Sequence, residues 1–322
     1  MKEIIVTPNE AGQRFDKLLG KYLNQAPKSF IYKMLRKKNI VLNGKKATGN
    51  EKLKEGDSVK LFLADETIEK FSKTEIIETN ETLELLYEDE HLLIINKPVG
   101  MLSQKADAKD ESLVEHVISY LMKSKQLSPE ELQKFRPSIC NRLDRNTSGI
   151  VVAGKSLIGL QRMGELFKNR SLKKFYRCLV VGAVKESQYI KGYLTKDEIT
   201  NKVCILSKEE ADALPIETEY KPVWSNGKIT LLEVHLITGR THQIRAHLAS
   251  EGHPIIGDYK YGNRSVNDDY KRRYNLESQL LHAYRLEFPN LCDELENVSE
   301  KIVVAPVPAL FENILESEKS KG

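Results

Sequence analysis

The sequence predicts an α+β protein, a mixed, largely antiparallel sheet with flanking helices, preceded by a small α/β module. Three observations lead there. Helix-like and strand-like segments mix along 322 residues without a regular βαβ alternation. Several strand candidates are joined by turns too short for a parallel crossover. The charge also divides: residues 12 to 60 hold thirteen Lys/Arg and four Asp/Glu, whereas residues 64 to 90 hold ten Asp/Glu and two Lys. A basic module followed by an acidic connector gives that pattern.

Each element follows from its residues. GQRFDKLLGKYLN, residues 12–24, puts Phe15, Leu18, Leu19, Tyr22 and Leu23 at helical spacing before Pro27 interrupts. SFIYKMLRKKNIVLNGK predicts a second helix capped by Ser29. Phe30, Ile31, Met34 and Leu35 form its apolar stripe, and Lys33, Arg36, Lys37 and Lys38 its other face. IVLNGKKA turns at Asn43-Gly44, and LKEGDSVKLFL alternates as a strand. Residues 64–82 are acidic and poor in large apolar side chains, which predicts a linker.

LELLYEDEHLLIINKPVGML then reads as strand, tight turn at Asp89-Glu90, and a strand apolar enough to be buried on both faces. Residues 112–123 fit an amphipathic helix. GIVVAG is a strand, SLIGLQRMGELFKN a helix capped by Ser156, and KKFYRCLVVG a strand with Tyr176, Cys178 and Val180 on one face. IETEYKPVWS and KITLLEVHLITG form an antiparallel pair turning at Asn226-Gly227. THQIRAHLASEG is a helix starting near Thr241 and stopping at Gly252; QLLHAYRLEF is a strand and PALFENILES the last helix.

Composition narrows the classes of function. At 40% hydrophobic and 30% charged the chain reads as soluble and globular. No apolar run reaches the roughly 20 residues of a bilayer span. MKEIIVTPNEAGQRF lacks a signal-peptide core, so a cytoplasmic protein is expected. Cys140, Cys178, Cys204 and Cys292 show no CxxC spacing and are expected to be reduced, mostly buried thiols. There is no GxGxxG, no GxxxxGK[ST] and no repeat.

Three segments carry chemistry. In NRLDRNTSG, Asp144 stands between Arg142 and Arg145. Neighbouring guanidinium groups favour an ionised carboxylate, which suits a nucleophile or an electrostatic role. Taken alone, the motif reads more readily as a structural ion pair. In KKFYRCLVVG, Tyr176 sits in mid-strand, where packing is the ordinary role and stacking on a base or moving a proton the special one. In LITGRTHQIRAHLASEGHPIIGDYKYG, Arg240 lies at a strand–helix junction and Arg245 about one turn into the helix, a setting for phosphate or carboxylate. His242 and His247 lie off the i, i+4 face and there is no HExxH, so no metal is expected.

RFDKLL, FIYKMLRKKNIVLNGK and LKEGDSV together resemble the small RNA-binding domain first named for ribosomal small-subunit protein four, over residues 12–62. That resemblance implies that Lys33, Arg36, Lys37 and Lys38 meet phosphates; a basic dimerisation or docking module is the alternative. The later motifs, NRLDRNTSG, KKFYRCLVVG, TGRTHQIRAHL…GHPIIGDYKYG and QLLHAYRLEF, with LYEDEHLLIINKPVGML, resemble the RluA-type pseudouridine synthases in order and spacing over nearly all of 83–289.

The second resemblance implies a pseudouridine-synthase-like sheet and the isomerisation of uridine in RNA without cofactor or metal. Large-subunit ribosomal RNA or its precursor particle is the expected partner, given the domain pairing, with transfer RNA behind it. Asp144 resembles the family's essential aspartate, which attacks the anomeric carbon of the ribose or helps remove the proton from the neighbouring sugar carbon. Tyr176 resembles the tyrosine that stacks on the uracil. Arg245 resembles the arginine paired with the aspartate; Arg240 competes for that role and is otherwise expected to meet phosphate. Arg142 resembles the arginine that fills the vacated place in the stack, and Leu281 the apolar floor of the base pocket. The family pattern usually has His where this chain has Asn141, an amide that can still hydrogen-bond the backbone. A small RNA-binding domain with its linker over 1–75, a catalytic domain over 76–322, and a monomer are expected. Two rivals stand beside this reading. A glycosidase commonly uses two carboxylates, and only one is apparent in an arginine setting. A non-catalytic RNA-binding or ribosome-assembly factor leaves Asp144, Tyr176 and Arg245 together unexplained.

Overall fold

The computed structural model describes residues 1–73, 79, 82–107 and 109–321. The chain divides into two compact units. One comprises residues 1–82, 114–138 and 154–161; the other comprises 83–113, 139–153 and 162–322.

The first unit opens with β1 (Lys2–Ile5), α1 (Phe15–Tyr22), α2 (Lys28–Arg36), β2 (Ile40–Leu42), β3 (Lys45–Lys46), β4 (Ser58–Leu61) and α3 (Asp65–Phe71). Its four strands pair antiparallel in the order β1-β4-β2-β3. Phe15, Leu18, Leu19, Leu35, Ile40 and Leu61 fill its core. The β2–β3 hairpin turns on Asn43 and Gly44, both left-handed at φ 51° and 71°, as a two-residue turn requires to match strand twist. The helix α2 begins one residue earlier than its expected Ser29 cap. Pro27 occupies the N-cap at φ −58°, ψ 143°, and its extended ψ sets the start without a side-chain bond. Ile31, Met34 and Leu35 are buried, while Lys33, Arg36, Lys37 and Lys38 are all exposed.

Of the expected linker, residues 74–78, 80 and 81 lie outside the described residues, but α3 shows that the segment is not all linker. Asp65 and Glu66 sit at the positive end of α3 and Lys70 at the other. Phe71 packs its ring 4.7 Å from Phe30. The helices α4 (Leu113–Lys123) and α5 (Pro129–Lys134) complete this unit but for Leu113; a reciprocal Ser128–Glu131 capping box starts α5.

The second unit is built on β5 (Leu85–Glu88), β6 (Leu92–Lys97), β7 (Ser138–Ile139), β8 (Ser148–Gly154), β9 (Lys173–Val181), β10 (Gln188–Asp197), β11 (Lys202–Leu206), β12 (Leu214–Ser225), β13 (Ile229–Leu236), β14 (Leu281–Glu287) and β15 (Ile302–Val304). These make one eleven-stranded sheet in the order β11-β10-β12-β13-β9-β14-β8-β6-β5, with β15 beside β14 and β7 beside β8. The pairings from β11 to β14 are antiparallel, and β14 with β8 is parallel, so the mixed, largely antiparallel sheet is as expected. The remaining helices are α6 (Leu157–Lys168), capped through Ser156 Oγ and Gly159 N–H at 3.0 Å, α7 (Gln243–Ser250), α8 (Arg264–Tyr274) and α9 (Ala309–Lys319).

Two local features place the site. Gly149 has φ +109°, and a Cβ there would lie 2.2 Å from the Ala283 carbonyl oxygen; only glycine lets β8 run this close to β14. The α7 helix ends as Gly252 takes φ +81° and His253 N–H returns to the Leu248 carbonyl. The thiols depart from expectation: Cys178 is buried and Cys140 half-buried, but Cys204 and Cys292 are exposed. Cys204 lies on β11, an edge strand that buries only part of its length, and Cys292 in the loop after β14. No helix among the described residues is long and apolar enough to cross a membrane.

Candidate active site

A cavity of about 1010 Å³ opens in the second unit, and Arg142, Asp144, Tyr176, Arg240 and Arg245 all line it. Asp144 sits on the turn between β7 and β8, closed by Thr147 N–H to the Asp144 carbonyl at 3.0 Å. That turn is fixed from three sides. Asn141 bridges β8, its Nδ2 donating to the Ile150 carbonyl at 3.2 Å and its Oδ1 accepting Val152 N–H at 2.8 Å. The amide at this position therefore holds the backbone. Ser103 donates to the Leu143 carbonyl at 2.7 Å and accepts Leu143 N–H at 3.0 Å. Lys97, fully buried at the end of β6, donates to the carbonyls of Pro98, Met101 and Arg145.

The chain neighbours of Asp144 are not its ion partners. Arg142 is exposed at the cavity wall, and Arg145 turns its Nε to the Gly100 carbonyl at 3.1 Å. The partner is Arg245 on α7, whose Nη1 donates to Asp144 Oδ2 at 2.8 Å. The rest of the guanidinium is locked onto Asp258: Nε donates to Oδ2 at 2.7 Å and Nη2 to Oδ1 at 2.9 Å. Asp258 is completely buried and also accepts the N–H groups of Lys260 and Tyr261. Asn267 of α8 pins this loop, accepting Gly257 N–H and donating to the Asp258 carbonyl. A bidentate pair fixes the plane of the guanidinium, so Nη1 is aimed before any substrate arrives.

The electrostatics follow from this packing. Burial works against the Asp258 carboxylate, yet the Arg245 hydrogen bonds and charge outweigh it and hold its pKa below the ordinary value. Burial likewise opposes the Arg245 charge, but Asp258 and then Asp144 raise its pKa. Burial pulls Lys97 down to about 8, with the Asp144 charge opposing. Tyr176 is pushed up, first by burial and then by Asp144, so it is a neutral phenol near neutral pH and suits stacking better than service as a phenolate base. Lys174 is lowered by burial and by Arg170. Arg142, Arg170, Lys174 and Arg240 all line the cavity, and among the described residues none of them forms an ion pair. Cationic walls of this kind suit a polyanion.

Of the residues that the sequence singles out, Asp144, Tyr176 and Arg245 line one cavity, and Arg142 and Arg240 line it with them. Leu281 differs: it is 5% exposed at the start of β14 and does not line the cavity, whereas Gln279, two residues earlier, does. Lys33, Arg36, Lys37 and Lys38 belong to the first unit. Lys97, Ser103, His242 and Asp258 were not singled out for the site. For Asp258 the signal lay in the quoted GHPIIGDYKYG; for Lys97, in a lysine closing an otherwise apolar strand.

The RNA pseudouridylate synthase family model matches residues 91–250. Ribosomal large subunit pseudouridine synthase C of Vibrio parahaemolyticus is 32% identical over 314 residues, spanning 91% of this chain and 93% of its own. The protein of the same name from Vibrio cholerae is 30% identical over 324 residues, spanning 97% and 95%. The solved structure of human RNA pseudouridylate synthase domain containing 4 shares the fold at TM-score 0.57 and 24% identity, covering 73% of this chain and 93% of that one.

Proposed function

Since the chain belongs to the RNA pseudouridylate synthase family and is an enzyme that isomerises uridine in RNA to pseudouridine, we propose that its substrate is large-subunit ribosomal RNA and that Asp144 is the residue acting on the target ribose. The name shared by its relatives supports the choice of RNA. One observation carries the assignment of Asp144: within a cavity whose walls carry unneutralised arginine and lysine, it is the carboxylate held by a pre-aimed arginine, Arg245, at 2.8 Å.

The isomerisation breaks the bond from ribose C1′ to uracil N1 and forms one from C1′ to C5. The hydrogen on C5 leaves to solvent and N1 gains a proton, so atoms and charge balance without a cofactor. A uridine in folded RNA must first be extruded, at a cost of a few kcal/mol. Arg142, exposed at the cavity wall, has the planar group suited to the vacated place in the stack. Arg240, exposed at the junction of β13 and α7, is assigned to phosphate. Tyr176, a neutral phenol, lies against the uracil. Leu281, buried two residues beyond the cavity-lining Gln279, is assigned to apolar packing that supports the base pocket from outside its lining. Whether Asp144 bonds to C1′ or takes the proton from C2′, one of its oxygens must face the sugar. Residues 1–75 act as a small RNA-binding domain, with Lys33, Arg36, Lys37 and Lys38 on phosphates, and residues 76–322 as the catalytic domain. The protein works in the cytoplasm as a monomer.

The test uses RNA carrying tritium at C5 of its uridines, prepared from a strain lacking this protein. Wild-type protein releases tritium from the large-subunit ribosomal fraction, and Asp144→Asn binds the same RNA without release. Release only from transfer RNA overturns the substrate. Release by Asp144→Asn at the wild-type rate overturns the role of Asp144. Binding without release by either protein leaves an RNA-binding assembly factor.

A further inference from the structure

His242 plays no part in the reading above, yet its placement is unusual. It is the N-cap of α7 and holds a left-handed backbone at φ 53°, ψ 15°. A non-glycine residue in this conformation is uncommon and has to be supported by the surrounding structure. The strained backbone puts the ring, 10% exposed, beside the reacting carboxylate: His242 Nε2 lies 3.7 Å from Asp144 Oδ2, the oxygen that Arg245 also holds. Among the described residues no donor reaches Asp144 Oδ1.

The hydrogen bonds assign the tautomer. Tyr261 Oη accepts Val203 N–H at 2.9 Å and lies 2.9 Å from His242 Nδ1. With its oxygen already accepting, the phenol gives its own proton to Nδ1. The neutral imidazole then carries its hydrogen on Nε2, facing Asp144. We propose that His242 is a positioning residue for Asp144, its Nε2–H and Arg245 Nη1 together holding Oδ2, so that Oδ1 is the oxygen presented to the ribose. At 3.7 Å the Nε2 contact is longer than a hydrogen bond, and it closes when RNA excludes water from the cavity.

The charged and titratable groups around the ring are Asp144, Arg245, Asp258, Lys260 and Tyr261, with Lys202 beyond the Tyr261 ring. Burial lowers the His242 pKa, and Asp144 opposes that shift. Protonation at Nδ1 takes away the acceptor for the Tyr261 proton and sets a full charge against Oδ2, so activity falls on the acid side as His242 becomes charged.

This inference rests on the isomerase reading, and the tritium assay separates the two. His242→Asn tolerates the left-handed backbone but is too short to reach Oδ2. It should lower kcat about tenfold or more, the change expected for losing one hydrogen bond to a charged group, with KM for RNA unchanged. His242→Gln restores the reach without a titrating group; it should recover most of kcat and lose the acid limb of the wild-type pH profile. A wild-type kcat for His242→Asn, or the same acid limb in His242→Gln, overturns the positioning role and leaves the isomerase reading standing. No release by wild type overturns both. Nitrogen-15 NMR of the wild-type protein needs no variant: an Nε2–H signal for His242 supports the assignment, and an Nδ1–H tautomer overturns it.

Discussion

Arg245 Nη1 donates to Asp144 Oδ2 at 2.8 Å across 101 residues of chain, and the geometry of that bond is set by a third residue. With Nε and Nη2 committed to Asp258, the guanidinium cannot rotate without breaking two short hydrogen bonds. Replacing Arg245 by Lys keeps the charge and loses the fork. A single ammonium cannot hold Asp258 through two parallel bonds and also reach Asp144 along a fixed direction. Arg245→Lys should therefore lower kcat about 100-fold, the scale of a misplacement near 1 Å at a reacting group. Affinity for RNA should change little, because the residue is 9% exposed and meets carboxylates. Single-turnover tritium release at saturating RNA measures the first quantity and filter binding the second. Near-wild-type turnover would show that charge alone suffices.

Much of this arrangement was legible in the sequence. The β12–β13 hairpin announced itself by Asn226-Gly227, and α7 by its Gly252 stop, because these turn residues fix backbone angles locally. Asp144 and Arg245 were legible as a pair only through family resemblance, since sequence spacing carries no information about a contact 101 residues apart. The β10–β11 hairpin was missed. Its strands lie at the sheet edge and Gln188–Asp197 buries only Leu194 fully, so no alternation marks it. The α3 helix was missed because seven residues are too few for a period, and its stability comes from Ile68 and Phe71 packing on a core assembled from distant residues. The Ser29 cap failed because Pro27 constrains the backbone before any side chain can compete. The role of Asp258 was hidden for a different reason: an aspartate in a loop reads as a turn residue until the guanidinium that it clamps is placed beside it.

Acid should weaken the fold through two histidines outside the reaction. His247 is 1% exposed and shares a hydrogen bond between Nδ1 and Thr218 Oγ1 at 3.0 Å. His282 is fully buried, with Nδ1 on Ser148 Oγ at 2.9 Å and Nε2 on the Ala305 carbonyl at 3.2 Å. Burial pulls both down to about 4. Their unfolded value is about 6.5, so the unfolded chain takes up protons first as pH falls. Stability is therefore full above pH 6.5 and declines towards pH 4, by on the order of 3 kcal/mol per histidine. Urea midpoints followed from about pH 7 down to pH 5 should fall, and His247→Gln should roughly halve that dependence. A pH-independent midpoint over this range would mean that both rings stay accessible to protons in the folded state.

The basic face of α2 offers a test that separates binding from chemistry. Lys33, Arg36, Lys37 and Lys38 are exposed, and among the described residues none forms an ion pair, so replacing them with Ala removes no intramolecular partner. Unfolding should be unchanged within about 0.5 kcal/mol. If all four meet phosphates, each releases a fraction of a counterion on binding, and the slope of log Kobs against log salt should flatten by roughly 3 units for the fourfold variant. KM for RNA should rise most at low salt, where the lost phosphate contacts contribute most, and the two proteins should converge as salt increases. A fourfold variant with the wild-type salt slope would remove α2 from the RNA interface and assign its basic face to docking or to solvent. A partial flattening of about 1 unit would leave one phosphate contact, and single substitutions would then identify it.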